Sequence, residues 1–372
     1  MPTRLIFHKF DPLTPAPGGI DTCIRGIIKY SDPSEELLIV GVASDVGGSR
    51  ELGAWEDHNL DGRSFRFLPV AHLDPGNQVR RVPHSVEIAL GLLKYRRRVP
   101  SIDTLQTHRA DLGLVGPRLI KAKSHDYFIH TQESGILGKD SDSFWKRAGN
   151  VHRSIEKSVV KHATRVRVFN PSYAPVVEQW NAATKFSPTW WDPALVPEPV
   201  EPREKSIVWV GRLEQPKVPS LALSTLKHLA TNHPASEWRL RMIGAGNLLP
   251  ELKSNSSSWG LEDRVDFVGR LPPTGVMDEM SRGSILMMTS VQGYEGFPRV
   301  LVEGLANGLL AVVTKGADTG DLVEDGVNGF RTDPDPVLLA AAISAAAELN
   351  SSDARASVKH LSAPRVVADL YA

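Results

Sequence analysis

From Ser206 onward, apolar runs of strand length and helical stretches follow one another with few interruptions. Ser206–Val210, Trp238–Ile243, Val265–Val268, Ile285–Thr289 and Leu310–Thr314 read as strands. Ser220–Thr231, Leu248–Ser254, Pro298–Asn307 and the Ala-rich Val337–Leu349 read as helices. Strands this uniformly apolar are covered on both faces, and helical crossovers between them make the sheet parallel. The first half carries the same alternation less cleanly. Its strands are expected at Leu5–Phe10, Leu37–Ala43, Phe65–Val70, Thr104–Thr107, Asp126–Thr131 and Arg165–Asn170. Its helices are expected at Asp21–Tyr30, with Asp21 near the N-cap, at Glu87–Tyr95 and at Val151–Thr164. The expected class is α/β, with one architecture built twice. In such sheets ligands sit at the carboxyl ends of the strands, so the loops that follow strands should carry the chemistry.

Pro188, Pro193, Pro197, Pro199 and Pro202 all fall within Phe186–Lys205, a density no helix interior or central strand tolerates. This places a first domain over residues 1–187, a linker over 188–205 and a second domain over 206–355, with 356–372 returning to the first. A chain of 372 residues is long enough for two such cores. A formal net charge of +0 argues against a general polyanion binder, and no nucleic-acid partner is expected. The single cysteine, Cys23, permits no internal disulfide, and Met1–Phe10 reads as a strand, not a signal peptide. Both features point to a cytoplasmic setting. No run reaches the roughly 20 apolar residues of a spanning helix. Membrane contact would be peripheral, at the inner face. It would use first-domain cations such as Lys94, Arg96, Arg97, Arg98, Arg153, Lys157, Lys161 and Arg165. A solvated helix face is the simpler explanation of those charges.

The segment Glu295-Gly-Phe-Pro-Arg-Val-Leu-Val-Glu303 follows a strand and opens a helix. Pro298 suits the first helical position, where its missing N–H costs nothing. Arg299 and Val300 would then offer backbone N–H groups at the positive end of a helix, a ready anion site. Glu303, a turn further in, suits a pair of ribose hydroxyls better than a phosphate. The plainer alternative is an amphipathic helix with two solvated glutamates. In Val208-Trp-Val-Gly-Arg-Leu-Glu-Gln-Pro-Lys217 a strand ends in Gly211, and Arg212 and Lys217 follow. Two cations there can neutralise a diphosphate, Arg as a planar fork and Lys as a point charge. Gly18 and Gly19 in the first loop would let the backbone approach a ligand closely.

His108 and His130 each follow a first-half strand and could reach a ligand, though a lone histidine is more often structural. Gly244-Ala-Gly246 is half a dinucleotide fingerprint and reads as a tight strand-to-helix turn. The acidic pairs Asp140/Asp142 and Asp333/Asp335 lack supporting ligands and read as solvated, so no metal site is expected.

In this order and at these separations the motifs resemble the retaining glycosyltransferases of family 4. These have the GT-B fold, two Rossmann-like domains with a deep interdomain cleft. The resemblance is strongest over Ser206–Phe330. It rests on Glu295 and Glu303, on Gly211-Arg-Leu-Glu-Gln-Pro-Lys217, on Asp321-Leu-Val-Glu-Asp-Gly-Val-Asn-Gly-Phe330 and on Gly18-Gly19. The resemblance implies that Arg212 and Lys217 bind the donor diphosphate, Glu303 the ribose and Glu295 the transferred sugar. Gly296, Phe297, Arg299 and Val300 would complete the donor loop, and backbone groups at Arg270 and Leu271 would meet the base. His130 matches an active-site histidine near the donor sugar, with His108 the second choice. The implied reaction moves a hexose-type sugar from a nucleotide-sugar co-substrate, UDP ahead of GDP. The acceptor would be a hydroxyl of a saccharide, lipid-linked saccharide or small molecule. It needs no cofactor, protein nucleophile or divalent metal.

Pro188-Thr-Trp-Trp-Asp192 stands where the family often has Pro-Asn-Gly-Val-Asp. Gly308-Leu-Leu-Ala-Val-Val313 replaces Gly-Leu-Pro-Val-Val, Asp321 replaces Glu, and Val218 replaces the Gly after the lysine. Trp190 and Trp191 could pack a hinge or stack on a sugar. The alternatives kept open are a sugar phosphorylase, a nucleotide-sugar epimerase and a non-catalytic nucleotide-sugar binder.

Overall fold

The computed structural model describes residues 1–15, 19–45, 48–73, 84–130, 149–198, 200, 203–233, 235 and 237–372. Gly18, Asp140, Asp142, Pro199 and Pro202 lie outside the described residues. The chain divides into two units, Met1–Ser187 with Val367–Ala372, and Pro188–Val366.

The first unit runs β1 (Thr3–Phe7), α1 (Gly19–Tyr30), β2 (Glu36–Ala43), β3 (Glu56–Leu60), β4 (Arg63–His72), α2 (His84–Tyr95), β5 (Ile102–Thr107), α3 (Ala110–Leu119), β6 (Ala122–Ile129), α4 (Gly149–His162), β7 (Arg165–Val168), α5 (Ala174–Glu178) and β8 (Thr184–Phe186). Its eight strands lie in the order β3-β4-β2-β1-β5-β6-β7-β8. All pair in parallel except the β3–β4 hairpin. Every residue of β2 after Glu36 is buried, as expected of a strand with both faces covered. Leu5, Phe7, Leu38, Val40, Leu68 and Leu105 form one core cluster; Tyr127, Ile129, Val159, Val160 and Val168 form another. On α4 the inward residues are His152, Glu156, Val159 and Val160, at helical spacing. Buried Glu156 accepts hydrogen bonds from the Tyr127 and Tyr173 hydroxyls at 3.3 and 2.8 Å. Asp21 is not a cap. Helix α1 starts at Gly19, and Asp21 turns inward within its first turn to pair with Arg25 at 2.8 Å.

The second unit runs β9 (Ser206–Val210), α6 (Pro219–Asn232), β10 (Arg239–Ile243), α7 (Leu249–Ser258), β11 (Val265–Gly269), α8 (Pro273–Arg282), β12 (Ile285–Met288), α9 (Arg299–Ala306), β13 (Leu310–Thr314), β14 (Gly329–Thr332), α10 (Pro336–Ala346) and α11 (Ser351–Ser357). A final helix, α12 (Ala363–Tyr371), groups with the first unit from Val367 on. The six strands are parallel throughout, in the order β11-β10-β9-β12-β13-β14. The tryptophans of Pro188–Asp192 serve packing in this unit. Trp190 is 1% exposed, which removes it as a stacking platform for a sugar, and Trp191 Nε1 donates to the Val358 carbonyl at 2.9 Å. Among the described residues no helix is long and apolar enough to cross a membrane.

Candidate functional site

In the second sheet β9, β10 and β11 are laid down in one direction and β12, β13 and β14 in the other, so the order reverses between β9 and β12. Loops leaving the carboxyl ends of such a pair part from one another and leave a crevice. The β9 loop brings Arg212 and Lys217 to this place, and the β12 loop brings Ser290, Tyr294 and Glu295. Lys217 Nζ donates to Glu295 Oε1 at 2.5 Å, and Ser290 Oγ donates to the same oxygen at 2.6 Å. Arg212 donates to the Tyr294 hydroxyl and pairs with Glu214 at 2.6 Å. The Lys217 and Glu295 side chains are 14% and 12% exposed, whereas that of Arg212 is 59% exposed. The lysine is thus paired with a carboxylate, while the arginine presents much of its surface to solvent.

The loop bearing these cations is held by close backbone packing. Gly211 N donates to Ile243 O and Leu213 N to Ala245 O, both at 3.0 Å. A Cβ at Gly244 would fall 1.9 Å from Gly211 O, and one at Gly246 2.3 Å from Leu213 O. The Gly244-Ala-Gly246 turn is therefore glycine-rich so that a neighbouring loop can pass. Trp209 Nε1 donates to Thr289 Oγ1 at 3.0 Å, and that hydroxyl donates to the Lys217 carbonyl at 2.7 Å, pinning the β9 loop to the end of β12. Val218 adopts the left-handed conformation, with φ 44° and ψ 54°, at the start of α6. That geometry costs a residue other than glycine about 1–2 kcal/mol.

Pro298 is the N-cap of α9, and Arg299 is its first residue, one position later than the sequence suggested. Arg299 Nη1 donates to the Trp190 carbonyl at 3.1 Å and lies 3.9 Å from Glu303 Oε1. Burial pushes the Glu303 carboxyl up to about 7; Arg299 offsets part of this rise and Asp192 adds to it. Neither glutamate of the motif is simply solvated. The Gly296 carbonyl accepts from Thr319 Oγ1 at 2.5 Å, and Phe297 is buried. Val300 follows Arg299 in the first turn of α9. Arg270, exposed, and Leu271, half-buried, follow β11, two strands from β9. Ser290 and Tyr294 escape sequence reasoning because no spacing marks them, whereas Asp192 ends the Pro188–Asp192 segment that the sequence does mark.

The first sheet reverses its order between β1 and β5. His8 follows β1, His108 follows β5 and His130 follows β6, so three adjacent parallel strands each deliver a histidine at their carboxyl end. His108 Nδ1 lies 2.8 Å from His130 Nε2, and His108 Nε2 lies 2.8 Å from Gln106 Nε2. His130 stacks on Phe169 with ring centroids 4.5 Å apart. Burial, with His130 and His8 nearby, holds the His108 pKa well below the usual histidine range. Burial and the cation of Arg109 push His8 down to about 3. Cys23, His108 and His130 each place one ligand atom within 4.8 Å of the others. Gly19 is the exposed first residue of α1. His8 and Gln106 carry no signal in the sequence beyond following or ending a strand.

Two sheets, each with candidate functional groups on loops at the carboxyl edge of its parallel strands, define the class: the fold is GT-B, that of a large group of glycosyltransferases. More particularly, residues 204–348 match the family described as glycosyl transferases group 1, so the second unit carries a domain of that kind. The chain is similar to an exopolysaccharide phosphotransferase of Streptomyces coelicolor, 34% identical over 161 residues, 41% of this chain and 16% of that protein. It is also similar to a D-inositol 3-phosphate glycosyltransferase of Rhodococcus opacus, 27% identical over 169 residues, 44% of this chain and 37% of that protein. The match thus spans well under half the length of either relative. Among solved structures, the sucrose-phosphate synthase of Thermosynechococcus elongatus superposes with a TM-score of 0.76 at 17% identity, covering 100% of this chain and 98% of that one. Anabaena HepE, in complex with UDP and glucose, gives 0.71 at 18% identity over 100% and 98%. At these identities the likeness is one of fold.

Proposed function

We propose that this chain is a retaining glycosyltransferase. It moves a hexose-type sugar from a nucleotide sugar, UDP ahead of GDP, to a hydroxyl of a saccharide, lipid-linked saccharide or small-molecule acceptor. The observation that carries the proposal is the meeting of Arg212 and Lys217 with Tyr294 and Glu295 at the point where the second sheet reverses. A leaving nucleoside diphosphate develops charge as the bond to the sugar breaks, and fixed cations at that place lower the barrier. Arg212, Lys217 and the first N–H groups of α9, at Arg299 and Val300, supply that stabilisation. Glu295, already oriented by Lys217 and Ser290, holds hydroxyls of the transferred sugar. Glu303 takes the ribose, backbone groups at Arg270 and Leu271 the base, and His130 is the active-site histidine. The acceptor hydroxyl attacks from the face the diphosphate leaves, and its proton passes to a phosphate oxygen. The donor C–O bond breaks as the new glycosidic bond forms, so no protein nucleophile or divalent metal is needed. UDP is preferred because HepE, a neighbour over nearly the whole chain, is seen with UDP and glucose.

Peripheral membrane contact belongs to the same reading. Val86, Leu90 and Leu93 are exposed on one face of α2, beside Lys94, Arg96 and Arg97. Co-sedimentation with anionic but not neutral vesicles is expected.

The deciding experiment is a thermal-shift series against UDP-, GDP-, ADP- and dTDP-sugars, with and without Mg²⁺. A ligand at about a hundred times its dissociation constant stabilises the fold by roughly 2.7 kcal/mol. A metal-independent shift with UDP-sugars is expected. No shift with any of them would remove the donor site.

A further inference from the structure

A buried chain of hydrogen bonds in the first unit ends on His130, and its direction is set by chemistry. Arg4 Nη1, which can only donate, lies 3.4 Å from Gln106 Oε1, and the Tyr371 hydroxyl donates to the same oxygen at 2.9 Å. Gln106 is fully buried, so its amide has no water to turn to. With the oxygen held by two donors, the amide nitrogen is the atom that faces His108 Nε2 at 2.8 Å. A carboxamide nitrogen donates and does not accept. His108 Nε2 therefore accepts, and the one proton of this neutral ring sits on Nδ1. That proton points at His130 Nε2, 2.8 Å away, so His130 Nε2 accepts in turn. The proton of His130 is left on Nδ1, and the ring plane is held by Phe169, to which it lies within 7° of parallel.

We propose that Gln106, oriented by Arg4 and Tyr371, is a positioning residue that acts through His108 to hold His130 as its Nδ1–H tautomer, making His130 a neutral hydrogen-bond donor to the substrate. The substrate role rests on reading His130 as the active-site histidine. Several features serve this end. Burial keeps His108 uncharged and holds the Tyr371 hydroxyl protonated, its pKa raised above the usual range. The Arg4 guanidinium sits 3.8 Å from the centroid of the Tyr371 ring and is anchored by Asp126 at 3.0 Å and Glu35 at 3.0 Å, so the donor to Gln106 is itself fixed. The competing use of the site is a thiophilic cation held by Cys23, His108 and His130, whose facing nitrogens are His108 Nδ1 and His130 Nε2. Such an ion needs a bare His108 Nδ1, whereas the direction set by Gln106 places a proton there.

The test is ¹⁵N imidazole NMR on the full chain labelled at histidine, with His130 assigned by loss of its signals in His130→Gln. In the unmodified protein His130 should be protonated at Nδ1 and bare at Nε2. As a carboxylate beside Arg4, Gln106→Glu can only accept, so it should reverse both rings to Nε2–H. It should also lower kcat by roughly ten- to a hundredfold, the loss expected of one hydrogen bond to a charged or reacting group, with the donor KM little changed. Tyr371→Phe, which leaves Arg4 holding the amide oxygen, should keep the Nδ1–H form of His130. An Nε2–H form in the unmodified protein, or an unchanged tautomer in a folded Gln106→Glu, overturns the proposal. So does one equivalent of Zn²⁺ shifting the signals of both rings. The tautomer is read without substrate. No turnover with any donor, His130 still being Nδ1–H, would overturn the substrate role alone.

Discussion

Arg212 and Lys217 are both cations at the carboxyl end of β9, yet their surroundings differ. Lys217 is nearly enclosed against Glu295, and Arg212 lies mostly in solvent between Tyr294 and Glu214. An exposed pair contributes at most about 1 kcal/mol to stability. Arg212→Ala should therefore leave Tm within a few degrees of the parent while lowering kcat by roughly a hundredfold or more. Melting curves and steady-state turnover on one preparation check both halves, and unchanged turnover would take Arg212 away from the diphosphate. Glu303 gives a prediction in pH. Its carboxyl titrates near 7 in the fold against 4.5 for an ordinary glutamate. As pH rises through that interval the unfolded chain loses this proton first, so stability falls with rising pH, by on the order of 3 kcal/mol in full. Glu303→Gln should flatten that fall between about pH 5 and about pH 8. In the parent, nucleotide affinity should strengthen as pH rises through 7, because only the carboxylate accepts two ribose hydroxyls. Calorimetric titration at several pH values checks this, and the same trend in both proteins would dismiss Glu303 as the ribose ligand. Both glutamates were legible because Pro298 marked the helix start between them. Tyr294, Ser290 and Gln106 were not, because what matters about them is which side chain lies opposite.

Asp335 shows how an element claims a residue that sequence leaves open. Asp333 and Asp335 offered a thin case for metal binding. In the fold the Asp335 side chain accepts from Val337 N at 2.8 Å and Leu338 N at 3.0 Å as the N-cap of α10, and Asp333 pairs with Lys315 at 3.0 Å. Asp335→Ala should cost about 1 kcal/mol, or roughly 2–4 °C in Tm for a domain of this size. The nucleotide-induced shift should persist. An unaltered Tm would mean the cap contributes nothing. Elements with uniform apolar sequence, such as β2, β12 and β13, were legible because burial on both faces admits little else. Helix α3 was not, because Gly113, Gly116 and Pro117 read as breakers. Gly113 packs so closely under Val159 that a Cβ there would lie 2.8 Å from its methyl group. Strand β3, Glu-Asp-His-Asn-Leu, is a polar edge strand held by its pairing with β4, a partner its own sequence does not announce.

At the scale of the whole molecule, the last six residues complete the first unit. Arg167, 2% exposed, donates to the carbonyls of Leu370 at 2.9 Å and Ala372 at 3.0 Å. A chain ending at Val366 leaves that buried cation without these acceptors, a loss worth about 3–5 kcal/mol. The first unit should then melt earlier, while residues 188–366, with a sheet of their own, keep the nucleotide-induced shift. Melting with and without UDP checks this, and an unchanged first unit would show that Arg167 finds other partners. The amino-acid sequence by itself determined the α/β class and marked a candidate division near Pro188 and the candidate donor motifs, since these depend on periodicity, proline geometry and spacing within one loop. Only the tertiary structure decided where each sheet reverses its strand order, and hence that Lys217 meets Glu295 and that His8, His108 and His130 share one edge. Strand order is set by how crossover helices pack on the sheet, and that packing joins residues scores of positions apart whose pairing leaves no local trace.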